Sequence, residues 1–88
     1  MNVCFEKTFE KDLKKIVDKT LKAEINKAIL SVEEACIMRD IPKLIKMVGY
    51  KVHYRIRVGK YRIGVTIVGN LVTFEACLPR KDFYKYFP

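Results

Sequence analysis

The chain has 88 residues, half of them hydrophobic, with 18 Lys and Arg against 10 Asp and Glu for a net charge of +8. That length predicts a single domain over 1–88 with one modest core, burying about 60–65% of the unfolded surface. No run reaches the ~18 apolar residues of a membrane helix, and Met-Asn-Val-Cys-Phe-Glu-Lys does not open a signal peptide, so a soluble cytoplasmic protein is expected.

Asn2 to Phe5 reads as a short strand. Thr8 offers an N-cap, and Leu13, Ile16 and Val17 supply a helical stripe behind it. A second helix is marked by Leu21, Ile25, Ala28, Ile29, Val32, Ala35 and Cys36, which recur at helical spacing along one face. A break near Asp18–Thr20 makes the two a hairpin, with one kinked helix as the alternative. Pro42 ends helical territory, because the residue before a proline is pushed out of the α region. The period then changes to two. Tyr50, Val52, Tyr54, Ile56 and Val58 alternate with Lys51, His53, Arg55 and Arg57, and Tyr61, Ile63, Val65 and Ile67 alternate with Arg62, Gly64 and Thr66. Gly59-Lys60 and Gly69-Asn70 are the turns, and Leu71 to about Leu78 is the third strand of an antiparallel meander. The segment Arg80 to Pro88 is aromatic and basic and predicts a short helix that docks Phe83 or Tyr84.

The three cysteines, Cys4, Cys36 and Cys77, form no Cys-x-x-Cys pair, and His53 is the one histidine. A disulfide framework and a zinc site are therefore unsupported, no metal or cofactor is expected, and the thiols read as small hydrophobes in apolar surroundings. The charge is unevenly placed. Residues 1–40 carry eight basic and eight acidic side chains, which cancel. Residues 41–74 carry Lys43, Lys46, Lys51, Arg55, Arg57, Lys60 and Arg62 and no acid. Such a one-signed segment is the footprint of a polyanion site, where a solubilising surface normally mixes both signs.

Alternation puts Lys51, His53, Arg55 and Arg57 on one side of a strand, and simple hairpin register adds Arg62. Arginines on a rigid sheet can grip phosphates through paired hydrogen bonds, and rim tyrosines such as Tyr61 or Tyr84 can stack on unpaired bases. Tyr50 and Tyr54 read rather as core or edge residues. There is no Gly-rich phosphate loop, nucleophile–base pair or carboxylate cluster. Metal-independent RNA cleavage needs none of these, because the 2′-hydroxyl of RNA is the nucleophile and cations stabilise the phosphate. His53 is the one side chain with an ordinary pKa near neutrality, and as a lone strand histidine it reads first as structural.

The run Tyr54-Arg55-Ile56-Arg57-Val58-Gly59-Lys60-Tyr61-Arg62-Ile63-Gly64 closely resembles the core of RelE/ParE-type toxins from toxin–antitoxin pairs. Phe9-x-Lys11-Asp12-Leu13-Lys14-Lys15, Asp40-Ile41-Pro42-x-Leu44 and Arg80-Lys81-Asp82-Phe83-Tyr84 agree in order and spacing, so the likeness covers essentially the whole chain. It implies an α+β fold: an N-terminal strand and two-helix hairpin packed on a twisted antiparallel sheet, with a short C-terminal helix. It also implies a type II toxin held inactive by a cognate antitoxin. RelE-like members enter the ribosome and cut mRNA, whereas ParE-like members poison DNA gyrase.

Carried over by position, the resemblance makes Arg62, Arg80 and Tyr84 the catalytic candidates and Lys51, Arg55, Arg57, Lys60 and Lys81 the RNA-binding ones. Two positions depart from the family pattern: Ala76 stands where an arginine is expected and Pro79 where a histidine is expected. Each loss is expected to cost about 10²–10⁴ in rate, and Glu75 adds a negative charge beside them. The expectation is a ribosome-dependent mRNA endonuclease attenuated at Ala76 and Pro79. The alternatives are a gyrase inhibitor that cleaves nothing and a catalytically dead antitoxin-binding module.

Overall fold

The computed structural model describes residues 1–88. The chain runs β1 (Asn2–Phe5), α1 (Lys7–Lys14), α2 (Lys19–Glu34), a 3₁₀ turn (Met38–Asp40), β2 (Leu44–Lys46), β3 (His53–Val58), β4 (Tyr61–Val68), β5 (Leu71–Pro79) and α3 (Arg80–Tyr86).

Two helices form, not one kinked helix. Asp18 turns the chain, its Oδ1 accepting the backbone N–H groups of Thr20 and Leu21 at 2.9 and 3.2 Å, and so satisfies donors that a new helix leaves free. Thr8 does not cap α1, which starts one residue earlier behind Glu6. Its hydroxyl donates instead to the Glu75 carbonyl at 2.7 Å, tying the helix to β5. The expected Leu13–Ile16–Val17 stripe is also broken. The helix ends before Ile16, which still reaches the core, while Val17 is 86% exposed in the link to α2.

The sheet has five strands in the order β1-β5-β4-β3-β2. Its β3-β4-β5 centre is the expected meander, but β1 pairs parallel with β5, so the sheet is mixed and not wholly antiparallel. The two helices carry the chain across the sheet from β1 to β2 at the far edge, and the meander then returns it to β5, which gives the long connection that a parallel pair requires. The three-residue β2 was not foreseen. It exists because the chain doubles back at residues 47–50, where Tyr50 N–H donates to Met47 O and Met47 N–H to His53 O. For the same reason β3 opens at His53, and Tyr50 and Lys51 lie outside it.

The main core lies between the helices and one face of the sheet, with Phe9, Ile25 and Val32 packed on Ile56, Ile63, Val65, Val72 and Phe74. Phe74 is its aromatic centre, with ring centroids 5.2 Å from Phe5 and 5.3 Å from Phe9. A second, smaller cluster sits on the opposite face: Ala76, Phe83 and Phe87, with Met47 and Leu78 against them. The face expected to be purely basic is therefore partly covered by α3 and the residue that follows it.

Only Cys77 packs as the three thiols were expected to; Cys4 and Cys36 are exposed. Burial, and then the charge of Asp12, push the Cys77 thiol up to about 12. Asp12 lies close because its carboxylate accepts the Cys77 backbone N–H at 2.9 Å. At pH 8 a thiol of that pKa is ionised in only about one molecule in 10⁴, and the thiolate is the reactive form. Alkylation of the native chain should therefore modify two thiols rapidly and the third only on unfolding, as counted by mass spectrometry.

Candidate nucleic-acid interface

Strand register decides which side chains share the face away from the helices. Arg57 lies directly opposite Arg62, Arg55 opposite Gly64 and His53 opposite Thr66. The sequence-based prediction that Arg62 joins the β3 arginines holds. Tyr61 pairs with Val58 and packs on the main core, so it is not a stacking platform on this face. Tyr54 also packs on the core, while Tyr50 is exposed.

The tight turn at Gly59-Lys60, where Gly59 takes φ +57°, gathers the cations. Arg62 is 8% exposed, and its Nη1 donates to the carbonyls of Gly59 and Tyr61, each at 2.9 Å. Its Nε is buried with no partner. Neutral carbonyls hold the guanidinium in place without cancelling its charge, which suits it to meet an anion. Arg80 begins α3, and its backbone N–H donates to Lys60 O at 2.8 Å, fixing the helix start to the same turn. Arg57, Lys60, Arg62 and Arg80 thus converge at one end of the face. Tyr84 lies one helical turn beyond Arg80 on the same side of α3, half exposed, its ring edge-on to Phe83 at 5.2 Å.

The remaining candidates are less closely grouped. Arg55 is half-buried, two residues back along β3. Lys81 is exposed, next to Arg80 but around the helix from it. Lys51 lies in the bend before β3 and is not held in the strand row as alternation implied.

Gly64 and Ala76, paired across β4 and β5, form the middle of the face. A Cβ on Gly64 would lie 2.7–2.8 Å from ring carbons of Phe87, so glycine is what lets that ring lie flat on the strand. Ala76 is buried in the same cluster, where an arginine would have to displace Phe83 or Phe87. Pro79 ends β5 at the N-cap of α3, where an imino acid costs nothing because no ladder bond is needed. Gly64→Ala is expected to lift Phe87, lower stability by about 1–3 kcal/mol and speed amide exchange through α3. Unchanged exchange would show that the ring is not held there.

At the far end of the face the ladder slips. Gly64 pairs with Ala76 and Val65 with Phe74, which leaves Glu75 as a bulged residue. Its Oε2 accepts the Thr66 hydroxyl at 2.8 Å. A cavity of about 760 Å³ opens here, lined by residues including His53, Glu75, Ala76, Pro79 and Phe87. No group of three or more His, Cys, Asp or Glu side chains is placed to hold a metal ion.

A family described as the ParE toxin of the type II toxin–antitoxin system parDE matches residues 3–83. The chain is 42% identical over its whole length to the whole of Toxin RelE3 from Methanocaldococcus jannaschii. The chain belongs to the RelE/ParE superfamily of type II toxins. Its fold is that of the toxin in a RelB–RelE antitoxin–toxin complex from Methanococcus jannaschii, with a TM-score of 0.77 and 40% identity, covering 96% of this chain and 98% of that one. A YoeB dimer from Staphylococcus aureus shares the fold at 22% identity and a TM-score of 0.71, over 89% of this chain and 94% of that one.

Within this RelE/ParE toxin, sequence reasoning missed Thr66 and placed Glu75 only as an unwelcome charge. Period-two alternation from the core residues Val72 and Phe74 already puts Glu75 on the outer face with Thr73. The bulge brings Ala76 out beside it and returns Cys77 to the core, a slip that nothing in the composition of β5 marks.

Proposed function

We propose that this toxin is a ribosome-dependent mRNA endonuclease that inhibits translation, with its rate lowered by alanine at 76 and proline at 79. The observation that carries the reading is the convergence of Arg57, Lys60, Arg62 and Arg80 on one turn, with the Arg62 guanidinium held by carbonyls and not neutralised. A rigid sheet with such a cluster holds an RNA strand so that a 2′-hydroxyl lies in line with the adjacent phosphorus, and it stabilises the charge that builds on the phosphate oxygens. Arg62 and Arg80 serve the reacting phosphate, and Tyr84 packs a neighbouring nucleotide. Lys51, Arg55, Arg57, Lys60 and Lys81 bind the flanking backbone. RNA affinity should then fall steeply with salt, by about 0.7 in log–log slope for each phosphate contacted.

The partner proposed for the resting state is a cognate antitoxin, as in the archaeal RelB–RelE complex. A chain of charge +8 favours an acidic partner, and such a partner adds stability by mass action. No helix is long and apolar enough to cross a membrane, which accords with action in the cytoplasm.

A second reading, inhibition of DNA gyrase, is favoured by the ParE description of the matching family. Inducing the chain without antitoxin, mapping new mRNA 5′ ends and assaying supercoiling separates the two. In-frame cuts with normal supercoiling support the endonuclease; inhibited supercoiling with intact mRNA supports the gyrase poison. A companion chain carrying Pro79→His, which leaves the cluster of Ala76, Phe83 and Phe87 intact, should cut faster if that position limits the rate. Silence in both assays from both chains leaves an antitoxin-binding module.

A further inference from the structure

We infer that an open stretch of sheet edge at Arg57 seats an extended acidic segment of the partner antitoxin, an assignment that rests on reading this chain as a toxin held by an antitoxin. β2 ends at Leu44, opposite Ile56, so β3 runs on from Arg57 with no neighbour on that side. Strand parity fixes where the Arg57 backbone points. His53 O accepts from Met47 on the β2 side and Val52 O accepts from Ile67 on the β4 side, so the odd residues of β3 turn their N–H and C=O towards β2. Lys43 is the residue that would meet Arg57 there. It takes φ +60°, a conformation rare for a lysine, which turns the chain away, and no backbone bond joins the two. An outlier that the fold keeps points to a use for the gap.

A cavity of about 530 Å³ opens between α2 and this edge, lined by residues including Glu24, Lys27, Ser31, Lys43 and Arg57. Its volume lies within the size range of ligand sites. The matching stretch on the opposite side of the sheet is closed. There β1 covers β5 only from Leu71 to Phe74. Beyond it, Glu75 O accepts the Thr8 hydroxyl at 2.7 Å, Cys77 N–H donates to Asp12 at 2.9 Å, and Pro79 has no N–H to offer. Proteins blunt edges in this manner against stray strands. No such cover lies over Arg57, whose edge opens on the cavity.

An N–H beside a C=O is the pair that one residue of an extended peptide complements, whereas a phosphate backbone would leave the carbonyl without a donor. The residue opposite Arg57 shares its face of the sheet, and the residues on either side of it turn towards α2. An acid opposite Arg57 therefore meets the Arg57 side chain, and an acid next to it lies on the side of Lys27. Lys43 borders the same slot. The one carboxylate lining it is Glu24, at the Gly59 end, with its Oε2 3.7 Å from where a Gly59 Cβ would stand. That charge repels an acid entered too far along and so sets the register. The net charge of +8 favours an acidic occupant. Because the occupant engages Arg57, it and an RNA strand on the cation cluster exclude each other.

The test is hydrogen exchange at the Arg57 amide, read by NMR on the full chain alone and bound to its co-expressed antitoxin. In the free chain Arg57 should exchange about 10²-fold faster than Arg55, which is paired with Ile45, and antitoxin should slow it by a similar factor. Lys27→Glu with Lys43→Glu should weaken antitoxin binding roughly 10–10²-fold, with the thermal midpoint of the free chain retained. Lys11→Glu with Lys14→Glu, which changes the net charge equally but on α1, should weaken it much less. Equal losses from the two pairs overturn the inference. So does slow exchange in the free chain, which means a closed edge, or a second copy seated on it if the protection fades on dilution. Fast exchange in the complex overturns it while leaving the antitoxin reading standing, and protection by single-stranded RNA in place of antitoxin assigns the slot to nucleic acid. A chain that binds no co-expressed antitoxin overturns both.

Discussion

Arg62→Ala is expected to lower single-turnover cleavage of ribosome-bound mRNA by about 10²–10³-fold, the usual cost of removing one preorganised donor from a charged transition state. The effect is large because this guanidinium is prepared in advance. Two carbonyls fix its Nη1, its side chain is almost wholly buried, and its charge is not spent on a carboxylate. Nothing needs to reorganise when charge develops on the phosphate. Arg62→Lys should recover little, since a lysine cannot bond both carbonyls and a phosphate with one planar group. Ribosome binding should fall much less than the rate, because Arg57, Lys60 and Arg80 remain. A rate loss matched by an equal loss of binding would reassign Arg62 to docking.

Phe74→Ala is expected to cost about 3–5 kcal/mol, the range for deleting a fully buried phenylalanine. Phe74 has no exposed surface, stacks on Phe5, meets Phe9 at a tilt, and lies on β5 where β1 joins the sheet. Its removal opens a cavity at the point where helix, edge strand and sheet meet. A domain of this size holds roughly 4–13 kcal/mol in total, so the variant should be largely unfolded at growth temperature when alone. Chemical denaturation measures the loss directly. A bound antitoxin should return much of it through linkage, and a midpoint close to that of the native chain would show that the aromatic cluster is dispensable.

Much of the fold was legible because its signals are local. Period-two alternation from Tyr54 to Ile67, the glycine turns and the helical spacing of Ile25 and Val32 each specify an element from a few neighbouring residues. The misses depend on long-range pairing. β1 reads the same whether it joins the sheet parallel or antiparallel, and its direction is set by the helices that carry the chain to β2 at the far edge and the meander that brings it back to β5. β2 is three residues long and is defined by the fold-back at residues 47–50, which no periodicity announces. Thr8 looked like a cap because hydroxyl residues cap helices, yet a carbonyl on β5 took its hydroxyl instead.

The site divides in the same way. Arg57 and Arg62 follow from hairpin register, and Arg80 and Tyr84 from helical spacing, so their placement could be anticipated. Lys51 could not, because alternation was extended past the true start of β3. The cover that Phe87 forms over Gly64 and the bond from the Thr66 hydroxyl to Glu75 need β4, the bulged β5 and α3 to be in place. A glycine in a strand was the one hint of close approach, and its partner lies 23 residues away.

The most direct measurement is primer-extension mapping of an mRNA on purified ribosomes incubated with the purified native chain, alongside Arg62→Ala. In-frame cuts that require the ribosome and vanish in the variant are the predicted result. Intact mRNA with the native chain, at toxin concentrations that saturate the ribosome, would contradict the endonuclease reading.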